Sequence, residues 1–303
     1  MRSLGSVGVE AHGLDVLPSP FTQHVASIGD RMAVRNALQG MDAVLHTATL
    51  HKPHVATHPE QEFVEVNVSG TLVLLQEAVA AGIRSFVFTS TTSTFGRALV
   101  PAPHQPAAWI TEETVPVAKN IYGVTKVAAE QLCELFSRSH GLPVIILKTS
   151  RFFPESDDDP EMQRQYADEN AKLNELLFRR VDIEDAVAAH VLALERAPAL
   201  GFGRYIITAT TPFSPADCAQ LRVDAPAVVR RHVPELDAVY AQRGYRMFPS
   251  IDRVYVNERA SRDLGFRPRH DFAHALQRLQ RGEPIHSKLT YEVGSKGYHR
   301  TGS

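Results

Sequence analysis

The sequence predicts an α/β fold built on a parallel sheet, and two observations carry that prediction. Compact apolar runs of strand length alternate with amphipathic runs of helix length, and glycines or polar loops separate them. Strand–helix–strand units of this kind bring neighbouring strands in parallel, with the helices packed on the sheet faces. A third observation, the loss of this rhythm after Arg151, predicts a second and smaller lobe.

In chain order, residues 1–5 read as the last turn of a helix, stopped at Gly5. Residues 7–15 read as a strand closing on Gly13-Leu14-Asp15. Gly5, Gly8 and Ala11 fit a dinucleotide-binding spacing only superficially. Such a fingerprint needs a strand before it and a helix after it, and Pro18 and Pro20 preclude that helix. A strand at 24–28 leads through Gly29-Asp30 into a helix over 31–39, followed by a strand at 42–47 and a polar loop over 49–60. Residues 59–81 form a helix with Phe63, Val66, Val73, Leu74 and Val79 at apolar positions, ended by Gly82. Strands at 85–89 and 142–148 flank a helix over 122–139. Residues 155–178 begin with Glu155-Ser156-Asp157-Asp158-Asp159-Pro160, an acidic run that reads as a solvated loop, then become amphipathic and helical. A helix over 183–196 and a strand over 204–209 restore the alternation. Residues 212–285 are richer in proline and less regular, and 286–303 read as a polar, mobile tail.

Composition narrows the function classes. At 303 residues, one large α/β unit with an appended lobe is the natural expectation. Apolar residues at 44% and charged residues at 22% supply an ordinary globular core, and a net charge of -2 argues against electrostatic nucleic-acid binding. The most apolar runs, 72–83 and 186–194, are broken by Gln76, Glu77 and His190, so no uninterrupted run spans a bilayer. The N-terminus lacks a secretory pattern, and two cysteines, Cys133 and Cys218, make no disulfide framework. A cytoplasmic location is expected.

Chemistry enters at Tyr122-Gly123-Val124-Thr125-Lys126. Residues four apart on a helix share a face, so Lys126 brings an ammonium towards the phenol of Tyr122. A free tyrosine ionises near pH ~10. A neighbouring cation favours its phenolate and moves it towards the range useful to a general acid/base.

Around that pair an ordered series of segments resembles the extended short-chain dehydrogenase/reductases, in their NAD-dependent sugar-nucleotide epimerase/dehydratase branch. The matching segments are Gly13-Leu14-Asp15, Gly29-Asp30, Asp42-Ala43-Val44-Leu45-His46-Thr47-Ala48, Asn67-Val68-Ser69-Gly70-Thr71, Phe86-Val87-Phe88-Thr89-Ser90-Thr91-Thr92-Ser93-Thr94-Phe95-Gly96, Tyr122 to Lys126, Val181-Asp182-Ile183-Glu184-Asp185 and Leu264-Gly265-Phe266-Arg267-Pro268. The resemblance implies a Rossmann-like doubly wound parallel sheet, N-terminally truncated, with a smaller C-terminal substrate lobe. Residues 1–150 and 181–210 would form the NAD-binding domain, 151–180 and 211–285 the substrate lobe, and 286–303 the tail.

The resemblance also implies roles. Tyr122, Lys126 and Thr91 would be catalytic, although the run of hydroxyls from 89 to 94 leaves Ser90 and Thr92 as alternatives to Thr91. Asp15 would accept from the adenosine ribose hydroxyls and favour NAD over NADP, or else serve as a turn aspartate. Asp30, with Arg31 beside it, would contact the adenine, a role compatible with capping the next helix. Thr47, Ala48 and Thr49 would line the cofactor, and Asn67 would support it. Thr92 and Arg151 are candidate substrate contacts; for Arg151 a structural salt bridge is the equal alternative. His51, His54 and His58 suggest a metal cluster, but Pro53 and Pro59 disturb their spacing and further ligands are wanting, so no metal is expected. They are read instead as a loop near the pyrophosphate or substrate.

The implied chemistry is hydride transfer at a hydroxyl or keto carbon of a small molecule such as a sugar nucleotide, by an epimerase or dehydrogenase. A 4,6-dehydratase would carry an Asp-Glu pair where Thr92 and Ser93 stand. A homodimer is expected through helices 59–81 and 122–139, with Leu132, Leu135 and Phe136 as candidate contacts. One departure is large. The family's first strand, glycine-rich turn and most of its first helix are not found before Leu4, which leaves the sheet without its central strand. The chain alone is therefore expected to bind NAD more weakly than one carrying that strand. The alternatives are a truncated non-catalytic NAD-fold protein acting as a sensor or interaction module, and a fragment without function.

Overall fold

The structure is a computed structural model that describes residues 1–6, 8–155 and 159–294. The expected strand start at Val7, Asp157 and Asp158 of the acidic run, and the tail from 295 to 303 lie outside the described residues.

The fold is α/β and parallel throughout its pairings. Strands β1 (Leu14–Asp15) and β2 (His24–Val25) pair with each other. Strands β3 (Ala43–His46), β4 (Ser85–Thr91), β6 (Val144–Thr149) and β9 (Phe202–Ile207) form the main sheet, in the order β3-β4-β6-β9. Two further parallel pairs join distant segments: β5 (Ala108–Ile110) with β10 (Arg253–Tyr255), and β7 (Arg151–Phe152) with β8 (Arg180–Val181). Among the described residues, the β1–β2 pair is a sheet of its own, with no ladder to β3.

Side-chain alternation makes the main sheet two-faced. Phe86 and Phe88 of β4, with Val144 and Ile146 of β6, meet Val34, Leu74, Leu75, Ala78, Ala129, Cys133 and Phe136 on one face. Val87, Ile145 and Leu147 point the other way, onto Ala186, Ala189, Ala193 and Ala197 of the helix Ile183–Leu200, with Leu264 and Phe266 beside them. Strands covered on both faces need apolar residues at every position, which is why these runs lack polar alternation. Another core joins Phe153, Leu173, Leu176 and Leu177 to Phe213, Val228, Leu236, Phe248 and Leu276.

Several elements differ from expectation. The first two strands contract to two residues each, and just before them Gly13 O accepts from both Gln23 N and His24 N (2.9 and 3.0 Å). The helix over 59–81 is present, but Val64–Gly70 winds as a π-helical turn between Glu60–Phe63 and Thr71–Ala80. By length and composition Glu60–Ala80 is long and apolar enough to cross a membrane, although its sequence holds no uninterrupted apolar run. Here Leu74, Leu75 and Ala78 sit in the core, and Glu77 binds Arg31 and Arg35. The part of the expected mobile tail among the described residues, 286–294, packs on the fold. The Ser287 amide and hydroxyl donate to the buried Asp182 (2.9 and 2.6 Å), and a helix follows at Lys288–Val293. Of the residues named for a dimer contact, Phe136 is core, Leu132 packs against that core and Leu135 is exposed.

Candidate active site

The helix Ile121–His140 starts where Asn120 accepts from Gly123 N (3.0 Å). A Cβ at position 123 would sit 3.1 Å from that of Ala118, in the segment leading into the helix, and 3.6 Å from Ser93 O, in the turn after β4. The first turn therefore packs closely against both. Tyr122 and Lys126 are both buried on this helix. Lys126 Nζ donates to Thr89 O of β4 (2.7 Å) and lies 4.0 Å from the centre of the Phe88 ring. Burial pushes the Lys126 ammonium down to about 7, with Glu130 opposing the shift.

Thr91 ends β4, half-buried, and its Oγ1 accepts from Ser93 N (3.1 Å). The neighbouring hydroxyls turn inward: Ser90 donates to Glu130 Oε1 (2.5 Å), and Thr94 donates to Thr91 O (2.8 Å). Thr92 is buried in the 3-10 turn Thr92–Phe95. That turn closes at Gly96, whose φ of 56° and close approach to Val117 exclude a Cβ, which would lie 2.0 Å from Val117 O.

Asn67 sits in the π-helical turn and fastens three segments. Its Oδ1 accepts from Leu50 N (2.8 Å) and Thr49 Oγ1 (2.9 Å); its Nδ2 donates to Leu50 O (3.2 Å) and Thr125 Oγ1 (3.1 Å). It therefore ties the loop after β3 to the tyrosine helix. π-Turns concentrate at functional sites, and this one aims a buried amide at that junction. His46, at the end of β3, is fully buried on Thr71 Oγ1 (2.9 Å). Burial, then Lys126, lowers its imidazole to about 3.

The other residues singled out in the sequence are spread more widely. Asp15 is exposed at the carboxyl end of β1, with Oδ1 accepting from Leu17 N (2.9 Å). Asp30 caps the helix Arg31–Ala37 through Met32 N and Ala33 N, and Arg31 binds Glu77 and Gln76. Thr47 is exposed and Ala48 half-buried beyond β3. Arg151 lies 3.7 Å from the buried Glu175, which also pairs with Arg179 and Arg180. Among the described residues, no group of histidine, cysteine and carboxylate side chains is arranged to hold a metal. His51 instead stands beside Tyr122, with ring centroids 6.3 Å apart, and burial, then Lys126 and His54, lowers it to about 4. The sequence places His51 only in a loop expected near the pyrophosphate or substrate, and gives Glu130 and Lys148 no role. The i, i+4 spacing of Lys126 and Glu130 was the one signal that could have found the carboxylate.

Comparison with known proteins gives this geometry a family. The model of the NAD dependent epimerase/dehydratase family matches residues 1–207. An uncharacterized protein of Sinorhizobium fredii is 38% identical over 123 residues, covering 40% of this chain and 28% of that protein. UDP-arabinose 4-epimerase 1 of Arabidopsis thaliana is 28% identical over 214 residues, covering 59% and 48%. Matches to such curated relatives span about a quarter to a half of their length. A short-chain dehydrogenase/reductase superfamily protein of Agrobacterium tumefaciens, solved with bound NAD, superposes with a TM-score of 0.64 at 23% identity, over 96% of this chain and 94% of that one. That likeness establishes the Rossmann-like fold. The chain belongs to the NAD dependent epimerase/dehydratase family.

Proposed function

We propose that this protein is an NAD-dependent epimerase or dehydrogenase acting at a hydroxyl or keto carbon of a sugar nucleotide. The observation that carries the reading is a buried Lys126 on the face of the Tyr122 helix, bonded to β4 two residues before Thr91. It lies at the carboxyl end of parallel strands, where open α/β sheets take their ligands. The UDP-sugar epimerases among the relatives supply the substrate class.

By their chemistry these residues would suit a dinucleotide at both ends. Tyr122 and Lys126 would hold the nicotinamide ribose, and the exposed carboxylate of Asp15 suits a ribose diol and disfavours a 2′-phosphate. Thr47, Ala48 and Thr49 would line the path between them, with Asn67 holding Thr49. Asp30 and Arg31 contribute less to this reading, since one caps a helix and the other binds Glu77. Bound NAD supplies the hydride acceptor. Tyr122 takes the proton of the substrate hydroxyl, the Lys126 ammonium favours the phenolate that does so, and Thr91 orients the reacting oxygen. Thr92 would assist from the adjacent turn. Arg151 fits better as a partner of Glu175 than as a substrate contact. Residues 1–150 and 181–210 would carry the cofactor, and 151–180 with 211–285 the sugar nucleotide.

A second reading rests on the separation of β1–β2 from β3. A cofactor bridging Asp15 and Lys126 must cross that break, which favours a non-catalytic protein that binds nucleotide weakly. Incubating the protein with NAD and a panel of UDP-sugars tests the two together. The enzymatic reading expects turnover lost in Tyr122→Phe; the other expects none from either protein.

A further inference from the structure

Directly behind the Tyr122–Lys126 face lies a dry charge system of two ammonium groups and one carboxylate. Glu130 follows Lys126 by one helical turn on the same side of the helix. Lys148 of β6 donates to both of its carboxylate oxygens (2.7 Å each), and Ser90 of β4 donates to Oε1 (2.5 Å). Lys148 Nζ also donates to Thr94 Oγ1 (2.9 Å), which passes the chain on to Thr91 O (2.8 Å). Ser90, Thr94, Glu130 and Lys148 are each at most 4% exposed. The network therefore bolts the strand end bearing Thr91 to the helix bearing Tyr122 and Lys126.

We propose that the Glu130–Lys148 pair is a positioning device that sets how tightly Lys126 holds its proton while bracing the end of β4 that bears Thr91 against the helix that bears Tyr122. The geometry explains how. Lys148 engages both oxygens of Glu130, so the carboxylate charge is drawn towards β6 and only part of its field reaches Lys126. Tyr122, four residues before it on the same helix, faces Lys126 as well. Cys133 on the same helix is buried with its thiol pushed up, and His46 and His51 beside β3 are held neutral at pH 7 by burial. Lys148 itself is pushed down by burial against the pull of Glu130, with Arg204 and Glu112 as its more distant charged neighbours. Lys126 thus responds to the balance of one anion and one cation.

That balance yields opposite responses to two substitutions. Glu130→Gln removes the attraction and lowers the Lys126 midpoint. Lys148→Met removes a like charge and releases the full carboxylate field, which raises it. A scaffold role alone predicts no such opposition, because both changes break the Glu130–Lys148 bonds and loosen the same junction. The catalytic consequence rests on the proposed chemistry at Lys126, but the test uses neither cofactor nor substrate, so the two can fail separately.

The experiment is an NMR titration of protein labelled with 13C at the lysine ε carbons, with the Lys126 signal assigned by its loss in Lys126→Arg. The expected result is a midpoint about one unit or more lower in Glu130→Gln and about one unit or more higher in Lys148→Met. Lys148→Arg, which keeps the pair, should stay close to wild type. If Glu130→Gln fails to fold, the double variant Glu130→Gln/Lys148→Met replaces it, and Lys148→Met must titrate above the double. Shifts of the same sign in the single variants, an unmoved midpoint, or Lys148→Met titrating at or below the double would overturn the proposal.

Discussion

Lys126 is expected to cost the fold stability in exchange for function, and the cost has a pH signature. In the folded chain its ammonium titrates at about 7, against 10.5 for an ordinary lysine. Between those values the unfolded chain binds more protons than the folded one, so this group makes stability rise with pH across that window. The destabilisation is fully present below the folded value and is relieved towards the unfolded one. Integrating from about pH 7 to about pH 9 gives a gain of about 2 kcal/mol. Lys126→Met keeps much of the volume, removes the charge and gives up the bond to Thr89 O. Its stability should be closest to, or further above, that of wild type at pH 7, with the balance moving towards wild type by about 2 kcal/mol by pH 9. Cys133, whose folded thiol is pushed up, contributes a falling stability through the range where the unfolded thiol ionises, but it is present in both proteins and largely cancels in the difference. Urea unfolding at the two pH values, followed by fluorescence, gives the difference directly. A wild-type-minus-variant difference that does not change with pH would refute the buried-ammonium argument.

Further predictions concern the scaffold. His46, lowered to about 3 by burial, contributes stability above pH 6.5 that is lost as pH falls towards 3; about 2–3 kcal/mol should be gone by about pH 4.5, and His46→Gln should flatten that acid limb in urea titrations. Asn67→Ala removes four hydrogen bonds of a buried amide at once and should cost about 2–4 kcal/mol, read as a lower thermal midpoint. Gly96→Ala should cost more than about 2 kcal/mol, because its Cβ would lie 2.0 Å from Val117 O. Gly141→Ala, with φ 68° but nothing within 4 Å of its Cβ, should cost only about 1 kcal/mol by the same urea assay.

What the sequence disclosed depended on how local the cause was. The buried strands announce themselves through their apolar runs, 44–45, 86–88 and 144–147, which are covered on both faces; the polar residues gather at the strand ends. Tyr122 and Lys126 were legible as a helical spacing set in a series of ordered segments. The β5–β10 pair was not, since three-residue strands more than 140 positions apart carry no local signal. The tail misled for a related reason. Ser287 and Thr290 look solvent-facing until Asp182, over 100 residues earlier, accepts their hydrogen bonds. Lys148 read as the polar end of a strand; only the approach of Glu130 from the facing helix makes it part of the site. Ser90, Thr91 and Thr92 are interchangeable by composition, and the pleat of β4 separates them by sending Ser90 inward to Glu130 and leaving Thr91 at the strand end.

The central claim is that Tyr122 performs proton transfer coupled to hydride transfer. It is tested most directly by single-turnover formation of reduced nicotinamide and of epimerised sugar, with NAD and UDP-glucose, UDP-galactose, UDP-arabinose or UDP-N-acetylglucosamine. Wild type should convert at least one of them, and Tyr122→Phe should be slower by about 10²–10⁴-fold. Conversion by Tyr122→Phe at the wild-type rate would contradict the account.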